Sequence, residues 1–330
     1  MTREELIDAI KRDETIEDQD LRGKDLRGLD LTGARFENVD FGGADMRGCR
    51  IKKTGFNGCR FQGTIMEGME LSEVLWIEMD LSGVNLRNSV LTEAVLMQVN
   101  LQGADLESVD LGGVVINDSD LEGVNLANAN LFKAVISNTK LNGADLSGAD
   151  LSRTVFTGVD FQGAILKGAK VFKTFMRDSL FQNQDFSGCK FVMAQASGSD
   201  FRGCNFREAD ITQSNFMNAN MDGVNFEDTK AQRTIFMGAK LNHARFKRAD
   251  LFQACFDESN VNQADFSDAN LEQSRFVGAK CIATIFRKAN CSYVDFSHAD
   301  LRSADLSQAN LYWAKMHRTV VESVSWNQAK

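Results

Sequence analysis

The sequence predicts an all-β chain wound as a solenoid, and three observations carry that expectation. An apolar residue recurs every five positions without a slip, its neighbours follow a fixed pattern, and proline is absent from all 330 residues. A period of five fits neither the roughly 3.6 of a helix nor the roughly 2 of a simple strand, and either would scatter the apolar residues over every face. A chain that turns a corner every five residues keeps them all inward.

The repeat starts near Ile16. Counted from Leu21, the centres run Leu26, Leu31, Phe36, Phe41, Met46, Ile51 and onward to Leu306, Leu311, Met316 and Val321. Of these 61 centres only Ala196, Ala231, Cys281 and Cys291 are not Leu, Phe, Ile, Met, Val or Trp. The position two before each centre is nearly always small, as in Ala34, Val39, Ala44, Cys49, Ala104 and Ala144, with Lys24, Leu29, Met69, Met79 and Gln184 as exceptions, and the residue just before the centre is typically Asp or Asn. Two after the centre stand 23 of the 26 glycines. Glycine supplies the positive φ of a type II turn, and Asp or Asn hydrogen-bonds nearby backbone at a corner. Proline would remove a ladder donor, so its absence fits a chain that uses every amide.

The resulting consensus, A(D/N)LxG, stands unmodified in Ala144-Asp145-Leu146-Ser147-Gly148 and resembles the pentapeptide-repeat family over about residues 16–326. The resemblance implies a right-handed, four-sided parallel β-solenoid with 20 residues per coil, hence about 15 coils between residues 21 and 321. The expected organisation is an N-terminal helical cap at 1–15, one continuous solenoid at 16–326 and a tail at 327–330.

Read twenty residues at a time, the centres form columns. One reads Phe186, Phe206, Phe226, Phe246, Phe266, Phe286 and another Phe216, Phe236, Phe256, Phe276, Phe296. Between 81 and 151 every centre is Leu or Ile, and the small position there is often Val (Val84, Val99, Val109, Val114, Val124). In the Phe-rich second half the small position is often Ala (Ala219, Ala239, Ala249, Ala254, Ala264), a swap that conserves volume in a close-packed interior. Of the seven cysteines, Cys49, Cys59, Cys189, Cys204, Cys281 and Cys291 fall at inward positions and read as small hydrophobes, while Cys255 points outward.

A stack of coils has two open sheet edges that invite aggregation unless covered. At the N-terminus Thr2-Arg3-Glu4-Glu5 is a capping box, and Leu6, Ile7 and Ile10 form the apolar face of a short helix that would lid the first coil. At the other end Tyr312, Trp313, Val321 and Trp326 make an apolar finish, read as a cap or as contacts of a homodimer joined end to end.

Composition narrows the function classes. The apolar and charged fractions, 43% and 25%, are those of an ordinary soluble protein, no run approaches a transmembrane helix, and Met1-Thr2-Arg3-Glu4-Glu5 is too acidic for a signal peptide, so a cytoplasmic protein is expected, with export by a signal-independent route left open. The net charge of −9 is uneven, with residues 1–150 at −12 and 151–330 at +3, which argues against direct nucleic-acid binding. His243, His298 and His317 are the only histidines and all fall outward; His298 and His317 share a face one coil apart, too few ligands for a metal site. The recurring aspartates are corner residues. No catalytic set and no phosphate-cradling loop emerges, so neither an enzyme nor a cofactor is expected.

The most informative departure faces outward. On three sides the residue before the centre is mainly polar, as in Asp20, Asp40, Asp80, Asp120 and Asp160. The fourth column reads Leu75, Val95, Val115, Val135, Val155, Phe175, and after two polar coils Ile235 and Cys255, with Ile77, Met97, Phe132 and Phe172 flanking it. Two readings stand: β-branched residues that merely suit a ladder, or an exposed apolar stripe that marks a binding surface.

Three functions compete. The first is a non-catalytic scaffold that binds a protein partner, or a second copy, through its outward faces. The second comes from the resemblance, which implies that an acidic rod can mimic DNA and bind gyrase or topoisomerase; the acidic first 150 residues fit it, and the basic tilt of 151–330 does not. The third is an accessory or effector-handling factor of a bacterial type VI secretion system, because the opening from Met1 to Gly23 resembles the lead-in of repeat modules found there.

Overall fold

The computed structural model describes Met1–Lys330 and divides into two compact units, Met1–Ala169 and Lys170–Lys330. The first opens with helix α1 (Arg3–Lys11). Its cap is the reciprocal box the sequence predicts: the Glu5 amide donates to Thr2 Oγ1 at 3.2 Å, and the Thr2 amide donates to Glu5 Oε2 at 2.7 Å. Those bonds to Thr2 hold the Glu5 carboxyl below its ordinary value. The buried face differs from the expectation. Leu6 and Ala9 are buried, whereas Ile7 and Ile10 are only half-buried, because a nine-residue helix on a coil end covers a single narrow strip. The Arg3 guanidinium ties α1 down by donating to the carbonyls of Asp25 and Arg27 at 3.0 and 2.8 Å.

Strands β1 (Thr15–Glu17), β2 (Arg35–Glu37), β3 (Gly55–Asn57), β4 (Leu75–Ile77), β5 (Val95–Met97), β6 (Val115–Asn117), β7 (Val135–Ser137) and β8 (Val155–Thr157) follow at steps of 20 residues and pair in parallel with no change of register. The other three sides pair by isolated parallel bridges at the same step, as in Asp20↔Asp40, Asp25↔Asp45 and Asp30↔Arg50. Four pairing lines with one common step are the four sides of a parallel β-solenoid.

The second unit holds β9 (Phe175–Arg177) and pairs by bridges on all four sides, from Lys170↔Lys190 to Asp305↔Ser325. Regular strands therefore mark about eight turns, fewer than the 15 coils expected. The reason lies in how the fourth side closes. In the later coils it folds tightly, with the Ala219 amide donating to the Phe216 carbonyl at 3.1 Å and Ala239 to Phe236 at 3.0 Å, as Ala104 does to Leu101 at 3.0 Å on another side. A side made of consecutive tight turns leaves one bridging residue where β1 to β8 have three.

Each corner turns on left-handed backbone two residues after the centre. Gly148 sits there at φ 69, where an added Cβ would lie 2.6 Å from Asn128 Oδ1. Glycine is not compulsory, however. Asn88, Glu93, Lys133, Arg153 and His243 hold the same conformation at φ between 56 and 61, because the ladder on either side imposes the turn whatever residue occupies it.

Centres from Leu21 to Leu306 and small positions from Leu29 to Ala309 are buried, whereas the last coil, from Leu311 on, is half-buried or exposed. In the second unit the two Phe columns stack along themselves, as for Phe226 and Phe246 with ring centroids 4.7 Å apart, and meet each other edge-on, as for Phe246 and Phe256 at 5.7 Å. Each such pair adds about 0.5–1.5 kcal/mol beyond burial. Many hydroxyls and thiols in the small position are satisfied inside the wall: Thr54 Oγ1 donates to the Leu31 carbonyl at 2.8 Å, Thr284 to Val261 at 2.8 Å, and Cys49 Sγ to Leu26 at 3.0 Å, while the Ser274 hydroxyl has no partner. No helix is long and apolar enough to cross a membrane.

Candidate protein-interaction face

In a three-residue strand the middle side chain points inward and its two neighbours outward. The leading outward residues of β4 to β8 are Leu75, Val95, Val115, Val135 and Val155, each the direct partner of the next. At ~4.8 Å per strand their four steps make a ribbon ~19 Å long. Leu75, Val115 and Val135 are exposed at 38–39%, while Val95, between Leu75 and Val115, and Val155, at the ribbon's end, are half-buried. The trailing position extends the apolar surface at Met97, which is exposed, and at Ile77, which is half-buried, and then turns polar at Asn117, Ser137 and Thr157. Phe132 lies exposed across the corner before β7, with Lys133 Nζ at 5.3 Å and the Arg153 guanidinium carbon at 5.8 Å from its ring centroid.

Two residues predicted for the stripe belong to the second unit. Phe175 leads β9 and Phe172 precedes it; both are exposed, and Lys173 Nζ lies 5.2 Å from the Phe172 ring. That unit's ladder from Phe175 turns polar at Gln195 and Asn215 before Ile235 and Cys255.

Tyr312, Trp313, Val321 and Trp326 are all exposed; Tyr312 meets Trp313 edge-on at 6.0 Å and Tyr293 at 5.8 Å. Tyr293 is exposed and sequence reading missed it, as it missed Ile65 and Ile165. The same question asked of every column would have found the two isoleucines, since both stand just before a centre on another side. The rings of His298 and His317 do meet, at 5.5 Å, and no group of three or more metal-ligating side chains surrounds them.

All seven cysteines are free thiols and six are buried. Burial pushes Cys59 up to about 11 and Cys204 up to about 12. Cys255, half-buried, is also raised by burial. The acidic columns serve the corners: Asp110 Oδ1 accepts from the Gly112 amide at 2.9 Å and from Asn130 Nδ2 at 2.8 Å. Others are clamped by arginine two residues on, Asp20 by Arg22 at 2.7 Å and Asp25 and Asp45 by Arg27 and Arg47 at 2.6 Å.

Family models agree with this geometry. A model of pentapeptide repeats in 8 copies matches residues 16–48, 30–68, 80–113, 110–148, 137–171, 264–302 and 284–320, more than half of the chain. A 9-copy model matches 186–230 and a pentapeptide repeat region model 209–282. The chain belongs to the pentapeptide-repeat family. Solved structures similar to this pentapeptide-repeat protein include HetL, involved in heterocyst differentiation regulation in the cyanobacterium Nostoc sp., at 21% identity over 79% of this chain and 90% of that one, with a TM-score of 0.20. Full-length QnrB1, a plasmid-mediated fluoroquinolone resistance protein, is similar at 16% identity over 67% and 92%, with a TM-score of 0.32. Rfr23 from the cyanobacterium Cyanothece is similar at 14% over 47% and 89%, with a TM-score of 0.21. The family assignment rests on the repeat models and not on these likenesses. A search of curated proteins finds no match.

Proposed function

We propose that this pentapeptide-repeat chain is a non-catalytic cytoplasmic scaffold that binds protein through the apolar ribbon of its first unit. One observation carries the reading. The repeat dictates inward residues and leaves outward ones free, yet Leu75, Val95, Val115, Val135 and Val155 follow one another with no polar interruption. Contiguous exposed apolar surface is a feature of interaction sites. The alternative in which the acidic half imitates DNA on gyrase draws less support, because the charge turns to +3 over residues 151–330 and does not run the length of the chain.

The test is the double variant Val115→Asp, Val135→Asp. Both side chains point outward, so circular dichroism and the unfolding midpoint should stay near wild type. Proteins retained by the tagged chain, second copies included, should fall by about tenfold or more, as charge set into an apolar contact does. Unchanged retention by a folded variant overturns the proposal.

A further inference from the structure

We infer that the occupant of the ribbon is a second copy of this chain, laid face to face with its coil order reversed about a two-fold axis along β6 at Val115. The inference rests on the ribbon's being a binding face and adds what binds it.

A two-fold interface must be complementary to itself. Val115 is the middle of the five ribbon residues, so reversal sets Leu75 against Val155, Val95 against Val135, and Val115 against its own copy. The corner residues just before β4 to β8 are Glu73, Glu93, Gly113, Lys133 and Arg153, all on left-handed backbone. An axis lying in the plane of the face along β6 keeps each corner on its own side while reversing the coil order. It therefore opposes Glu93 to Lys133 and Glu73 to Arg153, each twice per dimer, and sets Gly113, with no side chain, against itself. Glu93, Lys133 and Arg153 are exposed and make no ion pair within their own chain, whereas Glu73 is held by Lys52 at 3.0 Å and Lys53 at 3.4 Å. Glu93 and Lys133 are thus the pair left for a partner.

The same-order arrangement fails this comparison. It would oppose the corner before each strand to the corner after it, giving Glu73 on Glu78, Glu93 on Gln98, Gly113 on Asp118, Lys133 on Asn138 and Arg153 on Gly158, with no acid-base pair at all. A partner of another kind would give no reason for acid and base to be placed symmetrically about Val115. Reversal leaves one like-charge contact, Asp118 with its own copy, on the margin away from Glu93 and Lys133. A ribbon ~19 Å long covers less than the ~800 Å² per partner of a standard interface, so the dimer should be weak, with a dissociation constant in the micromolar range.

Sedimentation equilibrium of the full chain up to ~200 µM should show a monomer–dimer equilibrium. Glu93→Lys and Lys133→Glu should each weaken it about three- to tenfold, and the two together should restore it to within about twofold. Asp118→Asn should tighten it. In a Cys255→Ser background, Val115→Cys should form an intermolecular disulfide with itself, and a mixture of Val95→Cys and Val135→Cys chains should cross-link faster than either alone. A monomer at every concentration, or Val95→Cys cross-linking alone as fast as the mixture, overturns the inference. A monomer whose Val115→Asp, Val135→Asp variant still loses a retained protein overturns the second copy and leaves the ribbon as a binding face.

Discussion

Phe246 and Phe266 lie one coil apart in the second unit with ring planes 3° from parallel and centroids 4.7 Å apart. Phe256 meets both edge-on, at 5.7 and 5.5 Å. Its removal therefore opens a cavity and strips aromatic contacts at once. Phe256→Ala should cost about 3–5 kcal/mol, and Phe256→Leu, which keeps most of the volume, about 1–2 kcal/mol. Chemical unfolding curves of the two variants check this; a Phe256→Leu cost near zero would mean that the columns are fillers and not stacked supports.

Trp76 is fully buried at the centre of β4, and its indole N–H has no acceptor. An orphaned buried donor costs about 1–3 kcal/mol. Trp76→Phe removes the donor and keeps a ring, so the unfolding midpoint should hold or rise, whereas Trp76→Ala should cost about 3–5 kcal/mol. A loss on Trp76→Phe as large as on Trp76→Ala would show that the indole's full volume matters more than its unpaired N–H.

The Arg47 guanidinium, hydrogen-bonded to Asp45, holds that carboxyl down to about 2 from an ordinary 3.8. A carboxyl lowered on folding stabilises the fold above its unfolded value and loses that contribution as pH falls through the folded one. The clamp is therefore complete above 3.8 and lost between 3.8 and about 2. Arg47→Met should move the onset of acid unfolding to higher pH, and acid titrations of the two chains read this directly.

Six buried thiols and one half-buried predict a sharp difference in alkylation. The native chain should react at Cys255 alone, and slowly, since burial raises that thiol. In denaturant all seven should react. Rapid native labelling at Cys59 or Cys204 would contradict their place in the wall.

The inward half of the fold was legible because every centre from Leu21 to Leu306 obeys one steric demand, so Phe256 or Cys281 can be placed by counting. Corners were less so. Glycine marks many of them, but Lys133 and Arg153 turn the same way, because the ladder enforces the backbone and leaves the side chain free. The helix was legible in its cap, Thr2 and Glu5, and not in its buried strip, where Ala9 is buried more fully than Ile7 or Ile10. The ribbon's members could be named from the sequence, but not which of them stand out: Leu75, Val115 and Val135 are exposed, whereas Val95 and Val155 are half-buried. Outward exposure depends on the residues in the adjoining coils, and no periodicity carries that.

The most direct measurement places a photo-cross-linking residue at Ser137, beside the ribbon on β7, and a control at Ser82 on a polar side of the same unit. Irradiation in cells followed by mass spectrometry should give protein adducts from position 137 and few from position 82, and Val115→Asp should remove those at 137. Adducts equally frequent at both positions, or none at 137, would contradict the ribbon as the binding face.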